Sequence, residues 1–406
     1  RGGRALTSLG SAAAGVGGLT LVSRVLGFVR DLVIARLFGA DGGTDAFFVA
    51  FKVPNFMRRL FAEGAFSAAF VPVFHQYRAQ RSDAELRRLI DEVTGTLGVM
   101  LLAVTALGVL GAPLLVLAFA PGYAAQPGQH ALAAEMLRLT LPYLLFIALT
   151  ALAGGVLNAN GRFGVPAFTP VLLNLAIIAC ALHLAPAMDR PVVALAWGVL
   201  LGGILQLAFQ LPFIARLGLL PRPRIGRRGG GVGRILRRMG PALFGASITQ
   251  INLVLDTLMA SFLAAGSISW LYYSDRLMEF PLGILGVALG TVILPQLSRT
   301  QAQRSPRSFT RALDWALRLT LLLAIPAMIG LVALARPILI SLIQYGAFNP
   351  NDAYMAALSL MAYALGVPAF MLVKILAPGF YSRQDTRTPV RIGIIAVVAN
   401  ILLNLA

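Results

Sequence analysis

Apolar runs of about 18 or more residues recur along the whole chain, and runs of that length are at home only as helices that cross a bilayer. With 58% of the 406 residues hydrophobic and 12% charged, too little polar surface exists to cover such a core in water. The chain therefore reads as an all-α polytopic membrane protein. The alternating pattern of about ten residues that marks an outer-membrane barrel is absent. Eleven spans are expected, at 8–38, 45–75, 93–120, 131–157, 164–185, 190–215, 239–265, 269–297, 312–345, 353–381 and 388–406. The first, second and ninth are long for a simple crossing, which points to breaks or interfacial ends within them.

The net charge of +18 would suggest nucleic acid in a soluble domain. Here the basic residues gather between the apolar runs, so they set orientation and no nucleic-acid partner is expected. One set of loops carries Arg78, Arg81, Arg87 and Arg88, then eight arginines from Arg216 to Arg238, then Arg299, Arg304, Arg307 and Arg311, then Arg383, Arg387 and Arg391. The short loop at Arg162 lies on the same side. The alternate loops, near 39–44, 121–130, 186–190, 265–269 and 346–352, hold one arginine, Arg190. The positive-inside rule then places the amino terminus in the cytoplasm. Cys180 is the single cysteine and His75, His130 and His183 stand apart, so neither a disulfide within the chain nor a Cys/His metal cluster is expected, and no cofactor is implied. The first helix carries too many charges to serve as a cleavable signal peptide.

The sequence also repeats itself. "APLLVLAFAPGY" (112–123) matches "RPILISLIQYGAF" (336–348), "GGVLNANGRFGVP" (154–166) matches "PGFYSRQDTRTP" (378–389), and "AAFVPVF" (68–74) matches "TVILPQL" (291–297), each at an offset of 223–224 residues. This implies two parallel six-helix repeats, the second incomplete, with its sixth helix expected beyond Ala406. Two lobes, 1–215 and 239–406, would enclose a central cationic cavity, as in parallel-repeat transporters. The basic linker 216–238 between them contains "RRGGGVGRILRR", a flexible turn followed by an amphipathic helix suited to a membrane surface. "GVALG" (286–290) permits close helix packing.

Charges inside the spans are the sharpest functional signal, because each costs roughly 2.5–3.5 kcal/mol at the bilayer centre. In "SRVLGFVRD" (23–31), Arg24 and Asp31 share a helix face, Arg30 points about a third of a turn away, and Gly27 weakens the helix between them. In the second span Asp45, Lys52, Arg59 and Glu63 form one polar stripe, and Pro54 interrupts the helix before Arg58. In "YYSDRLMEF" Tyr272 stands four residues before Arg276, and Asp275 four before Glu279. Two readings stay open. These groups line an aqueous cavity for an anionic cargo, which guanidinium suits by paired hydrogen bonds, or they are structural ion pairs and interfacial arginines that snorkel. Asp256, alone in the seventh span, either pairs with an arginine or binds a coupling cation or proton. No metalloprotease, hydrolase or sugar-transfer constellation is present, so a transporter is expected, not an enzyme.

The stretches "SRVLGFVRDLVIARLFGA", "TDAFFVAFKVPNFMRRLFAEGAFSAAFVPVF", "SWLYYSDRLMEFPLGILGVALGTVILPQLS" and "LAPGFYSRQDTRTPV" resemble the MurJ (MviN) family of lipid II flippases, in the multidrug/oligosaccharidyl-lipid/polysaccharide exporter superfamily. The resemblance covers essentially the whole chain. Family members have fourteen helices, so this chain would lack the last three. The resemblance implies translocation of undecaprenyl-diphosphate-linked disaccharide-pentapeptide (lipid II) from the inner to the outer leaflet of the bacterial cytoplasmic (inner) membrane by alternating access, for use by peptidoglycan polymerases. The alternative is a cation-coupled exporter of drugs, or of other lipid-linked oligosaccharides, from the same superfamily. Carried over by motif, the transport residues would be Arg24, Arg30, Asp31, Asp45, Arg58 and Arg276. Lys52, Arg59, Glu63, Asp275 and Glu279 would support them as cavity charges, with Asp256 as a coupling-ion site. Partners beyond lipid II would be membrane lipids and a coupling cation or the membrane potential.

Overall fold

The computed structural model describes residues 2–59, 66–226, 230–283, 306–383, 385 and 387–405. Among them are fifteen α-helices: α1 (Gly2–Phe38), α2 (Gly42–Arg58), α3 (Ser67–Gln80), α4 (Asp83–Leu110), α5 (Ala112–Phe119), α6 (Pro127–Thr140), α7 (Tyr143–Ala159), α8 (Gly164–Ala179), α9 (Val193–Arg216), α10 (Gly231–Ala260), α11 (Ser267–Pro281), α12 (Pro306–Leu342), α13 (Pro350–Leu365), α14 (Val367–Ser382) and α15 (Arg387–Leu405). No strand occurs among the described residues, as backbone in hydrocarbon requires. Five helical stretches are long and apolar enough to cross a membrane, and a sixth if α13 and α14, bent by 41°, count as one span. The charge-bearing α1, α2 and α11 fall outside that group. The G-x-x-x-G at 286–290, Glu63, Arg299, Arg304 and the end of the eighth expected span lie outside the described residues.

Helix termini follow local chemistry. Ser82 and Glu85 form a capping box at the start of α4, the Ser82 hydroxyl accepting from the Glu85 N–H at 3.3 Å and the carboxylate accepting from the Ser82 N–H at 3.2 Å. Asn349 and Asp352 do the same for α13. Breaks fall at Gly111, which precedes Pro113, at Pro142, and at Gly366, which precedes Pro368. The duplication is visible in these boundaries. The pairs Asp83/Pro306, Phe119/Leu342, Pro127/Pro350, Ala159/Ser382 and Gly164/Arg387 each differ by 223 residues. The second repeat thus runs α4 and α5 together as the single helix α12.

Packing divides the chain into two units, Arg1–Ile34 with Gly42–Leu263, and Ala35–Asp41 with Ala264–Ala406. In the first unit, α9 packs against α8 and α7, and α2 lies on α6, α7 and α9. Gly198 and Gly202, one turn apart on α9, allow the close approach of α8. A Cβ on Gly198 would stand 2.7 Å from the Ile177 Cα, and one on Gly202 3.0 Å from the Leu173 Cα. A core beside this seam joins Phe66, Phe70 and Phe74 to Leu89, Val93 and Leu101 of α4, to Leu144 and Leu152 of α7, and to Val232, Ile235 and Met239 of α10.

The basic linker is docked on this core. Its stretch 222–226 runs extended along α4, with Arg222 N–H on the Asp91 carboxylate at 2.7 Å, Arg224 N–H on the Asp91 carbonyl at 3.0 Å and Gly226 N–H on Thr96 Oγ1 at 2.9 Å. Gly95 leaves room for the Arg224 backbone. The amphipathic segment expected on the membrane surface is instead the first turns of α10. Its apolar face is buried and Arg234 reaches Gln76 at 3.1 Å. Hence α10, first helix of the second repeat, packs with the first unit.

In the second unit α12 lies against α13 and α14, and α11 against α13. Trp270 Nε1 donates to Asp352 at 3.0 Å and the Ser274 hydroxyl donates to the Ala356 carbonyl at 2.7 Å. The end of α1 joins this unit through Arg36, whose carbonyl accepts from Ala347 N–H at 2.8 Å. Gly346 and Gly39 meet there with φ of +63° and +70°, conformations that favour glycine. Large apolar side chains point outward on α4, α5 and α12, including Leu107, Leu110, Leu114, Leu322 and Ile329. Such belts suit lipid contact.

Two outcomes are expected. Gly198→Leu should destabilise the first unit by about 1–3 kcal/mol through overpacking against α8, read as a lower unfolding temperature in detergent. At the α14–α15 turn, Asp385 is held below the usual carboxylate value of 3.8, chiefly by the Thr388 hydroxyl and then the Thr388 N–H. A depressed folded pKa means that its stabilisation of the α15 start is present above the unfolded value and lost as pH falls through the folded one. The extra amide-exchange protection of 387–391 over an Asp385→Asn variant should vanish in that acid window.

Candidate functional site

The site begins at the buried end of α1. Arg30 and Asp31 are 6% and 2% exposed. The guanidinium folds onto its own neighbour, with Nη2 at 2.6 Å and Nε at 3.0 Å from the same carboxylate oxygen. Its Nη1 donates to the Asn174 side-chain oxygen of α8 at 3.1 Å. The Phe51 ring of α2 lies 5.8 Å below the cation, a favourable cation–π distance. Asn174 in turn donates to the Ser23 carbonyl at 3.2 Å. Asp31 therefore pairs with Arg30, while Arg24, with which it shares a helix face, is exposed. The long arginine stem explains the difference, since it lets the head group curl back past the angular offset of adjacent helix positions.

On α2, Asp45 is 3% exposed and lies in the first turn, where the helix dipole favours a carboxylate. Lys52 of α2 and Asp256 of α10 are both half-buried. Pro54 has no N–H for the carbonyl of Ala50 four residues earlier. The Thr140 hydroxyl of α6, fully buried, donates to that carbonyl at 2.9 Å. One residue on, the Asn55 side chain donates to the Phe51 carbonyl at 3.0 Å and accepts from Arg58 Nε at 3.3 Å. The interruption expected at Pro54 does not occur, since α2 runs on to Arg58, and Asn55 ties Arg58 to the turn that holds the proline. Arg59 is exposed just past the helix end, and Glu63 lies outside the described residues.

In the second unit, the bonds from Trp270 and Ser274 anchor one face of α11. Asp275 and Arg276 are half-buried and Glu279 is exposed. Arg276 Nη1 meets Glu279 at 3.2 Å. The structure therefore gathers candidate residues into an Arg30–Asp31 group and an Arg276–Glu279 pair. Sequence reading missed Asn174, Phe51, Asn55 and Thr140. Asn174 did carry a signal, a polar amide inside the apolar run "TPVLLNLAII". No group of His, Cys, Asp and Glu residues able to hold a metal occurs among the described residues.

Comparison with known proteins is consistent across sequence and structure. Residues 34–406 match the family described as lipid II flippase MurJ. A Vibrio cholerae protein named probable lipid II flippase MurJ is 52% identical over 396 residues, 96% of this chain and 75% of that protein. A Burkholderia cenocepacia protein named lipid II flippase MurJ is 44% identical over 393 residues, 96% and 76% of the two chains. A solved lipid II flippase MurJ in an inward closed conformation superposes with a TM-score of 0.82 at 30% identity, covering 96% of this chain and 80% of that one. An inward-facing multidrug resistance transporter of the MATE family and MOP superfamily superposes at 0.67 with 13% identity, covering 94% and 87%, a likeness of fold.

Thr140→Val, nearly isosteric, should leave the Ala50 carbonyl without its donor and cost about 1 kcal/mol. The expected result is a lower unfolding temperature together with faster amide exchange around Pro54. An unchanged exchange pattern would show that the turn at Pro54 does not need this bond.

Proposed function

The chain belongs to the MurJ family and is a lipid II flippase, and from that premise we propose that its intramembrane arginines carry the anionic headgroup. Lipid II presents a diphosphate and peptide carboxylates, which guanidinium matches by paired, charge-assisted hydrogen bonds. In this reading Arg24, Arg30 and Arg276 take those groups. Asp31, Asp45 and Glu279 orient the arginines and compete for them when cargo leaves. The prenyl tail stays in lipid while two lobes, with α10 carried as part of the first, alternate between inward-open and outward-open states. Arg58, tied by Asn55 to the turn that holds Pro54, takes part in closure.

The observation that carries this reading is Arg30 itself. A guanidinium 6% exposed in an apolar bundle is costly, and its partner is a carboxylate that a cargo anion can replace. Asp256 is the candidate coupling-ion site, with a cation or the membrane potential as driving force. The product leaflet is where peptidoglycan polymerases would draw on the precursor. The protein acts as a transporter and not as an enzyme. Export of cationic drugs fits less well, because such cargo calls for an acidic, aromatic lining.

The amino terminus is assigned to the cytoplasm. In the first unit the α3–α4 turn, the docked linker and the start of α10 bring Arg81, Arg88, Arg222 and Arg234 to one face. In the second unit Arg383 stacks on Phe309 at 4.3 Å, beside Arg307 and Arg311. Basic faces of this kind belong inside.

Cells depleted of this protein should accumulate precursor shielded from a periplasmic enzyme that cleaves only exposed diphosphate-linked headgroups. Re-expression of the full-length gene should make it cleavable. Arg24→Ala and Arg276→Ala should insert normally yet lose at least about tenfold in transport. Wild-type transport in both variants would sink the arginine assignment. For orientation, a cysteine at Gln80 should label only after permeabilisation and one at Asp189 in intact spheroplasts. The reverse pattern would invert the topology.

A further inference from the structure

Asn174 has one side-chain oxygen and one side-chain NH2, and both are committed. The oxygen accepts from Arg30 Nη1 at 3.1 Å and the NH2 donates to the Ser23 carbonyl at 3.2 Å. The assignment of the two atoms is not arbitrary. Guanidinium only donates and a backbone carbonyl only accepts, so the amide fits in one sense alone. Asn174 is 6% exposed, as is Arg30, and neither bond competes with bulk water. The Ser23 carbonyl lies in the turn of α1 that leads to Gly27, and Arg30 lies in the turn after it. A single side chain of α8 therefore spans the weak point of α1 and holds the charged group beyond it.

We propose that Asn174 is a positioning residue for transport: with Asp31 it holds Arg30 in a sequestered orientation that an anionic oxygen of the cargo must displace. The proposal rests on the reading that Arg30 engages the diphosphate or carboxylate of lipid II. Asp31 uses Nε and Nη2, and Asn174 uses Nη1. An incoming anion meets a guanidinium whose three nitrogens each already donate to one of these partners. Binding then breaks the Asn174 bond and loosens the tie between α8 and α1. On release, Asn174 recaptures Nη1 and helps to strip the anion away. Asn174 thus lowers affinity and speeds turnover together.

Opposite substitutions give opposite signs. Asn174→Leu keeps the volume and deletes both bonds, so the hold of α8 on Arg30 is lost while the Asp31 bonds remain. Asn174→Asp strengthens the grip on the guanidinium with a second carboxylate and sets an acceptor against the Ser23 carbonyl. In full-length protein reconstituted in liposomes with fluorescent lipid II, Asn174→Leu should lower the apparent KM about three- to tenfold and lower kcat, the scale of one ordinary net hydrogen bond. Asn174→Asp should raise KM by a similar factor. A purely structural role would reduce the folded fraction in both and leave KM in place. KM shifts of the same sign, or none, overturn the proposal. If the leucine variant is not recovered from membranes, Asn174→Ala supplies the same deletion with less bulk. Arg30→Ala is run alongside. If it transports normally, the reading of Arg30 as a cargo ligand fails. If it is inactive while the Asn174 variants leave KM unmoved, only the role of Asn174 fails.

Discussion

A guanidinium withdrawn from water in an apolar bundle must find partners within the bundle, and much of the first unit is arranged to meet that need at Arg30. The nearest carboxylate, Asp31, is covalently adjacent, so the pair forms without bringing two helices together. Nη1 takes its acceptor from another helix, the Asn174 side chain of α8. A Leu at either position would pack as well, and replacing buried ion pairs with apolar residues is often neutral or stabilising. Packing therefore does not account for the group, whereas the anion handling proposed above would. The same physics that makes Arg30 costly when alone makes it a strong anion ligand once its protein partners give way.

Irregular backbone in this protein is repaired locally, and the repairs place side chains. Pro54 leaves the Ala50 carbonyl without its helical donor, and Thr140 fills the gap from α6. Asn55 ties the next turn and orients Arg58. The breaks at Gly111, Pro142 and Gly366 each carry proline chemistry within two residues. Broken helices are tolerated at membrane depth only where neighbours satisfy the freed groups. In α2 that neighbour is Thr140, and the helix continues through Pro54 to Arg58.

Much of the architecture was legible in the sequence because hydropathy and charge are read one residue at a time. The helices follow from apolar run length, and the duplication follows from matched segments whose offset returns in the helix termini. The partners were not legible, because a pair such as Arg30 and Asn174 is 144 positions apart and nothing local announces it. Helical-wheel geometry placed Arg24 and Asp31 on one face but could not foresee that Arg30 would fold back along its own stem. The basic stretch 227–238 has the composition of an interfacial helix. Its apolar face was ambiguous between lipid and the aromatic row of α3, and the protein resolves it in favour of Phe66, Phe70 and Phe74.

That resolution bears on how a duplicated chain becomes a machine with two different halves. The repeats agree in helix boundaries to the residue at five termini, yet their packing is not symmetric. The first repeat breaks at Gly111 where the second continues as α12. The opening helix of the second repeat, α10, buries Val232, Ile235 and Met239 with α3, α4 and α7. Charges have diverged too: the first repeat holds its arginine deep on α1 beside a carboxylate of its own, whereas the second holds Arg276 on α11 against Glu279 in a more open setting. Water screens an open pair and competes with its hydrogen bonds, so it yields to an anion at small cost, while a buried pair yields only when the anion supplies comparable bonds. On the proposed reading, two cationic groups of unequal grip would let cargo be accepted readily at one stage and held firmly at another.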